Sequence, residues 1–245
     1  MSEKLCKKER FKTKALVLII SALFITSCVT SNIRVNDNRI TSTIDLGAKV
    51  TNLKEATRAT IQIHSNSMRA TGTAFHIGNG IYATASHCVV NFHGNIVDDI
   101  ENMHTKERLS VVKVDTKLDL ALLKGEVVPN MRRFVINKNP RKVGDILVTL
   151  GWHMGQVFLI NKGHISGLTE DFIFHNAVAN PGVSGGPTID HNYEVVGVTI
   201  AGLTYSGGYN GVVIATRGKR LFEFVKEYLN AQTEKLRART ESRQR

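Results

Sequence analysis

Residues 179–187 read Ala-Asn-Pro-Gly-Val-Ser-Gly-Gly-Pro, and this glycine-rich loop around Ser184 is the most informative stretch of the sequence. A serine hydroxyl becomes a useful nucleophile only when a neighbouring base removes its proton. Acyl transfer also needs hydrogen-bond donors that face the developing oxyanion. Gly182 can adopt a backbone conformation that aims its own N–H and that of Ser184 at one point. Taken alone, the loop fits a glycine-rich hairpin with an incidental serine equally well.

Two segments upstream supply the partners that such a serine needs. Residues 81–89 read Ile-Tyr-Ala-Thr-Ala-Ser-His-Cys-Val, which places His87 at the end of an apolar strand. Residues 117–123 read Lys-Leu-Asp-Leu-Ala-Leu-Leu, so Asp119 opens a strand that is expected to be buried. A carboxylate there needs hydrogen-bond partners, and orienting an imidazole satisfies that need. Asp115 is the weaker candidate because it lies in a polar turn.

The chain order of these residues separates two classes of hydrolase. A Gly-x-Ser-x-Gly loop also fits the nucleophile elbow of α/β-hydrolases, but there the catalytic histidine follows the serine. Only His191 follows Ser184, and seven residues leave no room for the intervening acid. The order His87, Asp119, Ser184 therefore predicts a chymotrypsin-type catalytic triad.

The remainder of the chain predicts an all-β fold, because short apolar runs alternate with turn residues. Gly78-Asn79-Gly80 is a strong hairpin signal, and a helical apolar stripe follows residue 217. Two groups of about six short strands indicate two packed six-stranded antiparallel β-barrels with a C-terminal helix. The predicted strands are residues 59–65, 73–77, 81–84, 109–114 and 120–124, then 145–150, 156–165, 171–176, 195–200 and 212–215.

Composition shifts divide the chain into four parts. The predicted parts are a lipoprotein signal peptide (1–27), a polar tether (28–55), the catalytic domain (56–230, with barrel 1 at about 56–127, barrel 2 at about 142–216 and the helix at 217–232) and a basic tail (233–245).

The N-terminus indicates export. A basic stretch precedes an apolar run at residues 15–26, which is too short to span a bilayer but suits a secretory signal. Ile25-Thr26-Ser27-Cys28 resembles a bacterial lipobox, which implies cleavage before Cys28 and lipidation of its thiol. The prediction is thus a membrane-anchored lipoprotein of the cell envelope, on the periplasmic face of the outer membrane if the host is Gram-negative. An uncleaved signal anchor, or an ordinary signal peptide with an incidental cysteine, is the alternative.

The three segments together resemble trypsin-like serine proteases, and more narrowly the HtrA (Deg) protease domain, over roughly residues 56–229. The matching motifs are Asp-Leu-Ala-Leu-Leu at 119–123 and Asn-Pro-Gly-Val-Ser-Gly-Gly-Pro at 180–187. The resemblance implies that His87, Asp119 and Ser184 are catalytic and that the N–H groups of Gly182 and Ser184 form the oxyanion hole. It implies a protein or peptide substrate, an acyl-enzyme intermediate and no cofactor.

The sequence departs from these families at several points. No PDZ domain is expected after the protease domain, and Val183 replaces the usual asparagine. Ala85-Ser86-His87-Cys88 is similar to the animal-type Ala-Ala-His-Cys, but the disulfide partner of that cysteine is absent. We therefore expect Cys88 to be a lone, buried thiol.

Family geometry also suggests where the substrate side chain binds. Val178 stands where trypsin carries an acidic residue, so a preference for Lys or Arg at P1 is not expected. A preference for a small or medium apolar P1 side chain is expected instead. The predicted pocket residues are Val178, Asn180, Thr199, Ala201 and Gly202.

Composition weighs against other classes of function. The net charge of +11 is concentrated in the leader and in the last 15 residues. The middle of the chain has no basic stripe with interleaved aromatic residues, so the charge does not indicate nucleic-acid binding. The nine histidines form no ligand cluster, so no metal site is predicted. The remaining alternative is a catalytically silent protease fold that serves as a binding module on the cell envelope.

Overall fold

The computed structural model describes residues 47–205 and 208–244, which form two β-sheet units with a short helix at one end and a long helix at the other. The predicted signal peptide and Cys28 lie outside the described residues. The elements are α1 (Leu53–Arg58), β1 (Thr60–Ser65), β2 (Ala70–Gly78), β3 (Ile81–Thr84), β4 (Ile100–Asn102), β5 (Ser110–Asp115), β6 (Leu120–Lys124), β7 (Ile146–His153), β8 (Val157–Leu168), β9 (Phe172–His175), β10 (Pro187–Ile189), β11 (Val195–Tyr205), β12 (Gly208–Arg217) and α2 (Gly218–Gln244).

The first unit is a six-stranded antiparallel sheet in the order β4-β1-β2-β3-β6-β5. The predicted β2–β3 hairpin forms, with Asn79 and Gly80 at φ values of 51° and 67°. Positive φ at both residues is what a tight two-residue hairpin turn requires. The edge strands β4 and β5 do not pair directly, but the N–H of Leu109, just before β5, donates to the carbonyl of Ile100 in β4 at 2.8 Å. The sheet therefore curls towards a barrel without closing.

The second unit is a closed barrel in the order β10-β11-β12-β9-β8-β7. The all-β prediction with two six-stranded antiparallel units and a C-terminal helix is confirmed, with the first unit open. The sequence pattern did not indicate α1, β4 or β10, because α1 has only six residues and the two strands only three each.

One apolar core joins the two units. It packs Phe75 and Leu120 of the first sheet with Leu150 and Val198 of the barrel. Large buried side chains hold the two units against each other, since burying each one contributes about 1.5–3 kcal/mol. A site that lies between the units is therefore built on two fixed walls.

The helix α2 closes this core from one side. Leu221 and Phe224 are buried in it, and Lys113 of β5 holds the helix by donating to the Phe224 carbonyl at 2.9 Å. The helix is predicted to end at residue 232 but runs on through the basic segment 233–245 as far as Gln244.

The beginning of the described chain also packs on the domain. Val50 is buried in the shared core, and its N–H donates to the Arg133 carbonyl at 2.9 Å. Asn52 caps α1 by accepting from the Glu55 N–H at 3.0 Å. The polar tether predicted for 28–55 is therefore wrong at its C-terminal end, because Val50 and the helix cap anchor that end to the domain.

Candidate active site

His87 lies in a single 3-10 turn, Ser86–Cys88, directly after β3. All four residues of β3 are buried, so the strand gives this turn a rigid base. The His87 side chain itself is 46% exposed. His87 therefore lies just beyond the end of an apolar strand, where the sequence pattern placed it.

Asp119 faces His87 from the position directly before β6. Its Oδ2 lies 2.7 Å from His87 Nδ1, and its Oδ1 accepts the backbone N–H of His87 at 2.9 Å and the Ser86 hydroxyl at 2.7 Å. Asp119 has a φ of 52°, in the left-handed region that aspartate tolerates better than most residues. This backbone conformation and three hydrogen bonds together fix the carboxylate against the imidazole.

The pair perturbs the ionisation of both groups. Burial raises the pKa of Asp119, but the hydrogen bonds and charge of His87 outweigh burial and hold that pKa below its usual value. Burial lowers the pKa of His87, whereas the hydrogen bond with Asp119 and the neighbouring Cys88 thiol raise it above its usual value overall. The geometry thus favours an ionised Asp119 that stabilises a protonated His87.

Asp115, the rival carboxylate, has a local structural role. Its Oδ1 accepts the backbone N–H groups of Lys117 at 2.9 Å and Leu118 at 3.0 Å. These bonds form the turn between β5 and β6, and they explain its place in a polar loop.

Ser184 lies on the loop between β9 and β10, which returns to the first sheet. The N–H of Thr73 in β2 donates to the Ser184 carbonyl at 2.8 Å, and the Thr73 hydroxyl donates to the Gly182 carbonyl at 2.7 Å. Gly182 and Gly185 both have positive φ, at 92° and 83°, and a Cβ at either would collide with neighbouring backbone. Only glycine fits these two positions, and the loop is clamped to the wall that carries His87.

The Ser184 hydroxyl donates to the Ile200 carbonyl in β11 at 2.8 Å. No hydrogen bond joins it to His87 among the described residues. A protonated imidazole has two N–H donors and no acceptor, so a protonated His87 could not accept a hydrogen bond from this hydroxyl. Ser184, the nucleophile predicted from the sequence, is thus in a rotamer whose hydroxyl faces β11, and its carbonyl oxygen lies 3.6 Å from the Sγ of Cys88, the residue after His87.

Two backbone donors of the serine loop have no acceptor in the described part of the chain. The N–H groups of Gly182 and Ser184 make no hydrogen bond there, whereas that of Val183 donates to the Asn180 carbonyl at 3.0 Å. Buried backbone donors are nearly always paired, so the two unpaired N–H groups on either side of Val183 indicate a place for an external acceptor.

The predicted pocket residues fall into two groups. Val178 and Ala201 are exposed and Asn180 and Gly202 partly exposed, so all four can face a ligand. Thr199 is fully buried, and its hydroxyl lies 3.1 Å from that of Thr188. The backbone of Thr199 instead braces the serine loop, accepting from the Gly185 N–H at 2.8 Å.

The Cys88 thiol lies between the two sheets beside the site. It is unpaired, and its Sγ donates to the Ser184 carbonyl at 3.6 Å. A Cβ built on Gly72 would be 2.7 Å from this sulfur, so the thiol fills the space that the glycine leaves.

The sequence did not reveal that Ser86, Thr73 and Ile200 form hydrogen bonds with the residues of the site. The Thr73–Gly182 bond joins residues 109 apart and the Ser86–Asp119 bond residues 33 apart. No local pattern encodes such pairs, although the position of Ser86 beside His87 was a signal that could have been used.

Comparison with known proteins decides the family. The sequence model of the family described as a trypsin-like peptidase domain matches residues 72–198, more than half of the chain. The chain belongs to this family. The resemblance drawn from the sequence motifs is confirmed.

Individual relatives agree with this assignment. A probable periplasmic serine endoprotease DegP-like from Chlamydia trachomatis is 32% identical over 155 residues, which make up 59% of this chain and 31% of the relative. The chain therefore spans about a third of the length of the curated relatives it matches.

Two solved structures share the fold. The serine endoprotease from Yersinia pestis superposes with a TM-score of 0.60 at 20% identity, covering 74% of this chain and 68% of that one. The HtrA-type protease AlgW with tripeptide gives a TM-score of 0.59 at 23% identity, covering 71% and 60%.

The described residues contain neither a cluster of metal-binding side chains nor a membrane-spanning helix. Within 47–205 and 208–244, no three histidine, cysteine or acidic side chains converge as metal ligands. None of the helices described is both long enough and apolar enough to cross a membrane.

Proposed function

We propose that this protein is a serine endopeptidase that cleaves peptide bonds through His87, Asp119 and Ser184. The observation that carries the proposal is the Asp119 carboxylate, whose Oδ2 lies 2.7 Å from His87 Nδ1 and which thereby leaves Nε2 as the nitrogen that can accept a proton. The family supports the same reaction, because its members are peptidases by description.

The proposed reaction has two halves. In the first, Ser184 Oγ attacks the scissile carbonyl carbon, and its proton passes to Nε2 of His87. The imidazolium that results gives this proton to the leaving amine as the peptide C–N bond breaks, which leaves an ester on Ser184. In the second, a water loses a proton to His87 and attacks the ester, and the serine recovers its proton as the acid product leaves.

Asp119 and the serine loop support both halves without changing covalently. Asp119 holds the imidazole in the tautomer that presents Nε2 as the base, and it stabilises the charge that develops. The unpaired N–H groups of Gly182 and Ser184 are the proposed oxyanion hole, where each donor contributes about 3–4 kcal/mol to the transition state.

The resting rotamer of Ser184 adds one step before the reaction. The hydroxyl has to leave the Ile200 carbonyl and rotate towards His87, and His87 has to be neutral to accept the proton. Rotation between staggered rotamers is fast, so the protonation of His87 decides when the nucleophile becomes active.

A fluorophosphonate probe tests the proposal, because it reacts covalently with a serine activated by a base. We expect an adduct on Ser184 in the wild type and none in Ser184→Ala or His87→Ala. Asp115→Asn is the control for changes of charge near β6, and it should react like the wild type.

A silent binding module is the second candidate, and the bond from Ser184 to Ile200 is the observation that favours it. In that case the folded protein forms no adduct at any pH at which it is stable. Labelling of Ser184 excludes this candidate.

We also propose that the protein is exported and anchored in the cell envelope through a lipidated Cys28. The lipobox-like sequence 25–28 supports this, as does the word periplasmic in the names of relatives. Its partners are then a protein or peptide substrate and the membrane. Globomycin, which blocks the lipoprotein signal peptidase, should cause the precursor to accumulate, and an unchanged migration would contradict lipidation.

A further inference from the structure

Thr73 in β2 is a fully buried threonine whose side chain bonds to the second unit at two points. Its hydroxyl donates to the Gly182 carbonyl at 2.7 Å and accepts the backbone N–H of Trp152, in β7, at 3.0 Å. A hydroxyl has a single proton to donate, and here that proton is committed to the serine loop. Thr73 therefore joins the first sheet both to β7 and to the loop that carries Ser184.

The backbone of Thr73 ties the same loop to the strand that leads to His87. Its N–H donates to the Ser184 carbonyl at 2.8 Å, and its carbonyl accepts the hydroxyl of Thr84, the last residue of β3, at 2.7 Å. His87 follows Thr84 by three residues. One residue thus links the nucleophile loop to the strand that holds the base.

The other carbonyls of the loop are held by backbone donors. The Pro181 carbonyl accepts the N–H of Met154 at 2.7 Å, and the Val183 carbonyl accepts the N–H of Gly186 at 2.9 Å. Because the N–H of a trans peptide points away from its carbonyl, these bonds turn the two unpaired N–H groups away from those partners. The peptide between them is the one that a side chain holds, namely the Thr73 hydroxyl.

This middle peptide controls how the two donors are oriented to each other. The peptide groups that carry the unpaired N–H groups of Gly182 and Ser184 are related by the φ and ψ angles of Gly182 and Val183. The Gly182–Val183 peptide sets two of these four angles, and a glycine offers little resistance to its rotation. Without the hydroxyl of Thr73, the buried Gly182 carbonyl would lose its partner, and this peptide its anchor.

We propose that Thr73 is a positioning residue for the oxyanion hole, in which its hydroxyl holds the Gly182–Val183 peptide so that the N–H groups of Gly182 and Ser184 converge on the reacting carbonyl. The proposal rests on the endopeptidase function proposed above. Donors that are fixed before the reaction stabilise the oxyanion without reorganisation, so the Thr73 hydroxyl serves the transition state rather than the binding of substrate. Thr73 is itself fully buried and acts only through the loop.

Thr73→Val tests this, because valine keeps the shape of the side chain and lacks the hydroxyl. With the full-length protein and fluorescein-labelled casein, we expect kcat to fall by about 10–100-fold while KM changes by about twofold or less. Loss of a whole oxyanion donor costs about 10²–10³-fold in kcat, and the effect here is smaller because both N–H groups remain. The value of kcat is expressed per active site, counted as fluorophosphonate adduct at completion, so that unfolded protein does not contribute.

Two variants separate positioning from a general loss of stability. Thr73→Ser keeps the hydroxyl, and its kcat should stay within about threefold of the wild type. Thr149→Val is the matched control, because Thr149 in β7 is also buried and its hydroxyl makes no hydrogen bond within the described residues. It should leave kcat and KM unchanged.

Thermal unfolding shows whether each variant is folded. If Thr73→Val is not, Thr73→Ala decides by the same measurement of kcat, because it removes the hydroxyl without placing a methyl group against the Gly182 carbonyl.

Four results would each overturn the proposal: an unchanged kcat in folded Thr73→Val, a loss that appears in KM rather than in kcat, an equal loss in Thr149→Val, or a Thr73→Ser protein as impaired as Thr73→Val. Failure of the underlying function looks different. The wild type then cleaves no casein and forms no fluorophosphonate adduct on Ser184, and the two proposals fall together.

Discussion

Acid should destabilise this protein through His175. The ring is fully buried in the second barrel and its pKa is about 4, whereas an exposed histidine has a value of 6.5. Lowering the pH therefore protonates the unfolded chain before the folded one. The stability that the neutral ring preserves is fully present above about pH 6.5, and it is lost as the pH falls towards 4.

The size of the effect follows from the two pKa values. A difference of about 2.5 units corresponds to about 3 kcal/mol when the folded protein becomes protonated as well, and about 2.5 kcal/mol is already lost at pH 4.5. This is a large share of the total stability of an ordinary domain, about 5–15 kcal/mol.

Urea unfolding of the wild type and His175→Leu measures this contribution. Between about pH 7.5 and pH 4.5, the wild type should lose about 2.5 kcal/mol more than the variant. His76 is another histidine whose burial lowers its pKa, but it is present in both proteins and cancels in the difference. His164→Leu should follow the wild type, because that side chain is exposed.

The reasoning is refuted if wild type and His175→Leu lose the same free energy on acidification. Equal losses would mean that the ring is already paired or protonated in the folded state.

Three further predictions concern the site itself. Asp119→Asn should lower kcat by about 10³–10⁴-fold, because asparagine tolerates the same backbone conformation but cannot hold the productive tautomer of His87; Asp115→Asn should stay near the wild-type rate, and similar losses in both would contradict the assignment. Cys88→Ala should move the acidic limb of the pH profile of kcat/KM to lower pH, because the Cys88 thiol raises the pKa of His87 and activity needs the neutral ring. An unmoved limb would contradict an effect of Cys88 on His87. Gly72→Cys should form a disulfide with Cys88, because a Cβ at position 72 lies 3.2 Å from the Cys88 Cβ, close to disulfide distance, and free thiols at both positions in non-reduced peptide maps would disprove this geometry.

The sequence predicted the strands well where a run of apolar residues is long enough to show the pattern of a strand. β3 and β6 have the predicted bounds 81–84 and 120–124. The elements it missed are too short to show a period, and they form because partners distant in the chain pair with them. β10, for example, spans Pro187–Ile189 and is held between β7 and β11.

The candidate triad could be proposed from chain order and motif, because each residue stands at a recognisable boundary of a strand or loop. The rotamers and the ionisation of the site residues could not be predicted from the sequence. The rotamer of Ser184 depends on the Ile200 carbonyl 16 residues away, and the pKa of His87 is raised by the hydrogen bond with Asp119, 32 residues away. The burial of the His175 ring depends on which face of β9 points inwards and on what β12 places opposite, and neither can be read from the run Phe-Ile-Phe-His.

Cleavage of an unfolded protein, with the new N-termini sequenced by mass spectrometry, tests the central claim most directly. Wild-type protein should cut internal peptide bonds of reduced, carboxymethylated casein, and Ser184→Ala, folded to the same extent, should cut none. Equal cleavage by Ser184→Ala, or no cleavage by a folded wild type across the pH range in which His87 becomes neutral, would contradict the assignment of His87, Asp119 and Ser184 as the catalytic machinery.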